Sequence, residues 1–140
     1  MKYSDSEEYH ELAFYTLAHP DKEYFIHQHV VDAFQAQTAD ENTKPIAIIF
    51  SLAGLYLFVE KGYNGRMVQQ AHIKMSQNKI PWPPVELPKY RGDITISDVL
   101  KTAPGANRDE MIKKWGRSIW EAFRNSHHTI RATIKTTAGI

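Results

Sequence analysis

Residues Ile46 to Val59 form a run of 14 positions in which Ser51 and Gly54 alone interrupt an apolar series. Wound as a helix, this segment is apolar on every side, so other elements must enclose it. It is too short to cross a bilayer comfortably, which takes about 20 residues. The Ile-Ala-Ile-Ile and Leu-Tyr-Leu-Phe-Val clusters resemble strands, but the run length and the lack of an internal turn signal favour a helix. Pro45 fits its first turn, where a missing N–H costs nothing. Asn42 or Thr43 stands ready as a cap, and Gly62 marks a stop. A central helix of this kind requires amphipathic partners, and the rest of the chain supplies them.

Ser4 and Glu7 fit a capping box for a first helix that runs to about Ala18 and stops at His19-Pro20. A second helix is expected from about Lys22, capped by Asp21 or His19, to Gln37. A fourth should span about Gly65 to Gln77. Pro81, Pro83, Pro84 and Pro88 make helix and central strand unfavourable over 79–94, so this stretch reads as an extended connector anchored by Trp82 and Tyr90. Thr95 with Asp98 caps a short helix, and Asn107 with Glu110 caps a long final one, from about Arg108 to Thr133. The expected fold is all-α: one domain over 1–140, a bundle of five or six helices crossed by the proline-rich connector.

Composition narrows the chemistry. The absence of cysteine excludes disulfides, zinc–thiolate sites and thiol catalysis. The formal charge is +1, but residues 1–43 carry nine acidic and two basic groups, whereas the remainder is basic. The simplest arrangement packs acidic N-terminal helices against a basic C-terminal one. The basic excess is small and mixed with Asp109, Glu110 and Glu121, so nucleic-acid binding is the weaker alternative. The acidic, polar N-terminus has no secretory character, which points to the cytoplasm and away from membranes.

Histidine is the residue type that carries potential function, with seven copies. At about 100° per residue, helical phase assigns faces. His10 shares a face with Ala13, Phe14 and Leu17. His27 lies among Val30, Val31 and Phe34, and His29 turns toward Gln28, Asp32 and Gln35. His72 borders the Met67, Val68, Ala71 and Met75 face, and His127 borders the core stripe of the last helix. Four helices thus direct His10, His27, His72 and His127 toward or beside the interior. Each ring could bond to its own local partner, which is the plainer outcome. Alternatively, the four could converge, with Asp32, on a divalent metal such as zinc, nickel or iron, or on a small polar ligand. No local metal signature such as H-E-x-x-H is present. His29 and Asp32, three apart, can touch, as in a surface or interhelical hydrogen bond.

Other features are less directive. Trp120, Arg124, His127 and Arg131 line one stripe of the last helix. Arg124 and Arg131 there could contact an anion, or simply pair with the acidic helices. The Pro81-Trp82-Pro83-Pro84 segment could be a lid, a polyproline ligand or an ordered connector. No nucleophile elbow, phosphate loop or dinucleotide fingerprint occurs.

Two elements carry a family resemblance. One is Phe25-Ile26-His27-Gln28-His29-Val30-Val31-Asp32-Ala33-Phe34, with its His-x-x-x-x-Asp spacing. The other combines Trp115 and Trp120 with His127-His128-Thr129-Ile130-Arg131. Together with Thr95 to Leu100, they make nearly the whole chain similar to an uncharacterised bacterial family, a domain of unknown function. The resemblance implies a helical fold and no particular reaction.

Three functions follow as expectations. The first is metal or small-ligand binding by the inward histidines; as an enzyme, it would perform metal-assisted hydrolysis or transfer. The second is a non-catalytic interaction module such as a homodimer. The third is weak nucleic-acid binding through the C-terminal basic helix.

Overall fold

A computed structural model describes residues 6–18 and 24–140. Seven α-helices and no strand occur among them: α1 (Ser6–Leu17), α2 (His27–Thr38), α3 (Pro45–Val59), α4 (Gly65–Ser76), α5 (Ile96–Lys101), α6 (Ala106–Ala122) and α7 (His127–Ala138). The apolar run is α3, and it is central: α2, α4, α6 and α7 all pack against it. Every residue from Ser51 to Phe58 is buried. α1 rests on α2 and α5, α5 on α6, and α4 on α7.

Local chemistry places most boundaries. Pro45 is the first residue of α3. Past its end Gly62 adopts φ +70°, and Tyr63 N–H reaches back to the Leu57 carbonyl, closing the last turn. Thr95 and Asp98 form the expected reciprocal capping box of α5. Asn64 caps α4, its side chain accepting from Met67 N–H at 2.9 Å. Asn64→Ala is expected to cost about 1 kcal/mol in urea denaturation, the usual loss of an N-cap.

Several boundaries differ from expectation: α3 starts after Lys44 and α6 after Gly105, neither with a side-chain cap bond, so Asn42, Thr43 and the Asn107–Glu110 pair do not act as caps. The Ser4 half of the first capping box, and the His19 and Asp21 caps, lie outside the described residues. α2 begins at His27 rather than near Lys22, because Phe25 stands in the left-handed region at φ +46°. The long final helix is two helices, which makes seven rather than five or six. Phe123 N–H is shared between the Ile119 and Trp120 carbonyls, and a 3₁₀ turn, Arg124–Ser126, follows. That tightening keeps the Phe123 ring in the core while α7 turns away to lie on α3 and α4.

The connector forms neither helix nor strand, as expected, and Trp82 packs edge-on to Phe50 with ring centres 5.4 Å apart. Tyr90 is exposed. Arg91 anchors the connector: its guanidinium donates to the carbonyls of Pro88, Gln37 and Ala39. Gln37 completes the tie. Its amide donates to the Arg91 and Ile94 carbonyls, and its oxygen accepts the fully buried Trp115 indole N–H at 2.9 Å. A buried glutamine thus satisfies three groups from two distant segments.

Candidate functional site

The four histidines expected to face inward each have local surroundings of their own. His10 is exposed on α1, contrary to the face expected of it. α1 instead buries Leu12 and Thr16, leaving Phe14 and Leu17 in solvent. His27 is half-buried, 2.9 Å from Thr16 Oγ1. Thr16 Oγ1 also lies within hydrogen-bond distance of the Leu12 and Ala13 carbonyls, and the His27 tautomer sets which of the two side chains donates to the other. His72 Nε2–H donates to the Phe50 carbonyl at 2.8 Å. His127 Nε2–H donates to the Trp120 carbonyl at 2.7 Å, and its ring stacks on the Trp120 indole at 3.7 Å. Burial lowers the pKa of both His27 and His72, with the Phe50 carbonyl partly countering it at His72.

Among the described residues, no group of three or more histidine, aspartate or glutamate side chains is placed to hold a metal ion. The two arginines have separate settings. Arg131 grips both Glu60 oxygens at 3.1 Å, and Glu60 also accepts the Trp120 indole N–H. Burial alone would raise the Glu60 pKa, but those donors outweigh it and hold the carboxyl below its ordinary value. The partner of Arg131 is therefore the end of α3, not the acidic N-terminal helices. Arg124 lines a surface cleft of about 400 Å³ with Tyr90, Asp93, Ser118 and Glu121.

The unusual chemistry sits one turn along α2, at His29 and Asp32. His29 is 1% exposed and Asp32 2%. Neither His29 ring nitrogen has a hydrogen-bond partner among the described residues, and neither does Asp32 Oδ2. Asp32 Oδ1 accepts from the Gln28 amide at 3.1 Å. The His29 ring lies flat on Phe58 of α3, with centres 3.5 Å apart and planes 10° apart. Tyr24 meets it edge-on at 5.9 Å. Room for the Asp32 carboxylate exists because position 54 is glycine. A Cβ built there would fall within the carboxylate, 2.6 Å from Asp32 Cγ.

Desolvation governs the charge of this pair. It drives the His29 pKa from 6.5 down to about 3. It raises that of Asp32 well above 3.8, against a smaller opposing pull from the Gln28 hydrogen bond. Tyr9 on α1, which stacks on Phe34 at 4.4 Å, has its phenol pushed up by burial and then by Asp32. Burial thus disfavours the charged form of both members of the pair, and His29 is a neutral imidazole at neutral pH. Together they offer one imidazole donor, one imidazole acceptor and one carboxyl group, all shielded from water.

The model of a family described as a family of unknown function (DUF5946) matches residues 6–124. The chain belongs to that family. No curated protein and no solved structure matches it. The DUF5946 match contains the whole of α2, with His27, His29 and Asp32, and also Gly54. It stops before α7, so the His127-His128-Thr129-Ile130-Arg131 element lies beyond it. Among the described residues of this DUF5946 chain, no helix is long and apolar enough to cross a membrane.

Sequence phase put His27 in the apolar arc of α2 and His29 at its boundary; the packed helix buries His29 and leaves His27 half-buried. One available signal was Gly54. A glycine inside a buried helix costs about 1 kcal/mol relative to alanine and so marks a close approach. Its partner in that approach is Asp32.

Proposed function

We propose that this protein is a binding protein for a small polar ligand or a divalent cation, held at His29 and Asp32 of α2. One observation carries the reading: three buried polar atoms on two residues one helical turn apart lack partners among the described residues. Unpartnered buried groups cost about 1–3 kcal/mol each, so retaining them together needs a reason beyond folding. An imidazole nitrogen and a carboxyl oxygen suit a zinc, nickel or iron ion, or a ligand that both donates and accepts hydrogen bonds. Of the residues expected to form a polar site, Asp32 belongs to this one. His10, His27, His72 and His127 do not contribute.

The test pairs binding with stability. Native mass spectrometry and metal analysis of the purified chain, followed by thermal shifts with Zn²⁺ and Ni²⁺, should reveal a bound species or a rise in Tm. His29→Leu and Asp32→Asn should each abolish it. Without ligand, His29→Leu should leave the protein as stable as the parent or up to about 2 kcal/mol more stable, since two orphaned nitrogens are gone. A chain that carries nothing, responds to neither ion and loses stability on His29→Leu would sink the assignment.

A further inference from the structure

A buried site needs a way in, and the cover over His29 is built unlike the rest of the fold. Phe58 takes one face of the ring, and Tyr24, itself 38% exposed, meets it edge-on. Tyr24 belongs to a short non-helical strap, residues 24–26, that leads into α2. Phe25 in this strap is the one non-glycine residue with positive φ among those described, at +46°. A bulky side chain rarely takes that backbone conformation unless its surroundings enforce it.

The enforcing surroundings are two consecutive residues at the start of α4. Gly65 N–H donates to the Tyr24 carbonyl. The strap presses so closely on Gly65 that a Cβ there would lie 2.7 Å from both Tyr24 O and the Phe25 carbonyl carbon. Arg66 places its guanidinium 4.3 Å above the Phe25 ring. At its α2 end the strap is secured: Ile26 is buried, and its carbonyl accepts from both His29 N–H and Val30 N–H. A strained residue thus sits between a clamp on one side and a fixed hinge on the other.

We infer that the 24–26 strap is a gate, which swings about Ile26 away from the α4 start and admits a small ligand to His29. The inference rests on the reading of His29 and Asp32 as the binding site. Release of the clamp lets Phe25 return to an ordinary backbone conformation, and this offsets the lost contacts of Tyr24. Opening is therefore local and does not require α2 or α3 to unfold.

The ligand-free full chain tests it. A pulse of diethyl pyrocarbonate, which acylates neutral imidazole, followed by peptide mass spectrometry, reads the accessibility of His29. Hydrogen exchange at the Leu52 and Leu55 amides of α3 reads global opening. Protection of His29 should be at least about 10-fold below that of the α3 amides. Gly65→Ala, which wedges the clamp, should speed His29 labelling by about 10-fold, and Arg66→Ala by about 3-fold, with α3 exchange unchanged. Arg66→Ala keeps the test decisive if Gly65→Ala does not fold. The gate is overturned if His29 protection equals that of the α3 amides, or if Arg66→Ala leaves labelling at the parental rate. Because the probe is a reagent, failure to bind metal or ligand removes the site assignment without touching the measured opening. Labelling locked to global unfolding removes the gate and leaves binding intact.

Discussion

Gly54→Ala is expected to destabilise the protein by about 3 kcal/mol, at the upper end of what a single added methyl costs in a packed core. The new Cβ would occupy space now filled by the Asp32 carboxylate. Asp32 cannot yield easily, since it is buried between α2 and α3 and is held by Gln28. α3 cannot yield either, because its neighbours Leu52, Ala53, Leu55 and Leu57 are all fully buried. The clash has one remedy, which is removal of the carboxylate. Gly54→Ala combined with Asp32→Ala should therefore recover about half or more of the loss, a coupling visible in a double-mutant cycle by urea denaturation. Additive losses would show that the two positions do not share this space.

The second large effect is a pH dependence that opposing groups conceal in the parent and single substitutions expose. Between pH 6.5 and about 3 the unfolded chain carries a proton on His29 that the folded chain refuses. Stability from this group is therefore present above pH 6.5 and is lost as pH falls. At about 1.4 kcal/mol per unit, the whole loss is about 5 kcal/mol. Asp32 has the opposite sign. Above pH 3.8 the unfolded chain releases a proton that the folded chain keeps, so stability falls as pH rises toward the folded pKa. Above pH 3.8 and below 6.5 the two slopes therefore oppose each other for as long as the folded chain keeps the Asp32 proton: the unfolded chain holds a proton on His29, the folded chain on Asp32.

The pair thus predicts a flattened plateau above pH 3.8, where the two opposing slopes offset each other. Asp32→Asn should remove the plateau and leave stability dropping steeply toward acid. His29→Leu should also remove it, with stability dropping as pH rises above 3.8. Urea midpoints at about pH 4, 5.5, 7 and 8.5 would separate the three curves. His27 and His72, also lowered by desolvation, add acid-side loss to all three proteins alike, so the comparison among them stands. Identical pH profiles for the parent and both variants would show that the pair is not buried as described.

These two predictions converge on a contact that periodicity alone could not disclose. The apolar arc of α2, read locally, centres on Val30, Val31 and Phe34. The packed helix buries His29, Val30, Asp32, Ala33, Ala36 and Gln37 instead. The difference arises because polar residues are accepted inside when a distant segment offers them a partner or a space. Trp115 and the 91–94 stretch do so for Gln37. Gly54 and Phe58 do so for Asp32 and His29. On α1 the same limitation reverses a face, since Phe14 and Leu17 are apolar yet outward, while Thr16 is buried against His27.

What the amino-acid order determined by itself was the set of helices and the place of α3 at their centre. Caps, stops, prolines and an unbroken apolar run act through bonds and contacts within a few residues, and those are written locally. What the tertiary structure alone decided was the division of the last helix at Phe123, the strain at Phe25 and the burial of His29 with Asp32. Each depends on groups brought together from separate segments, whose meeting is fixed by the volume of the whole core and by no local pattern.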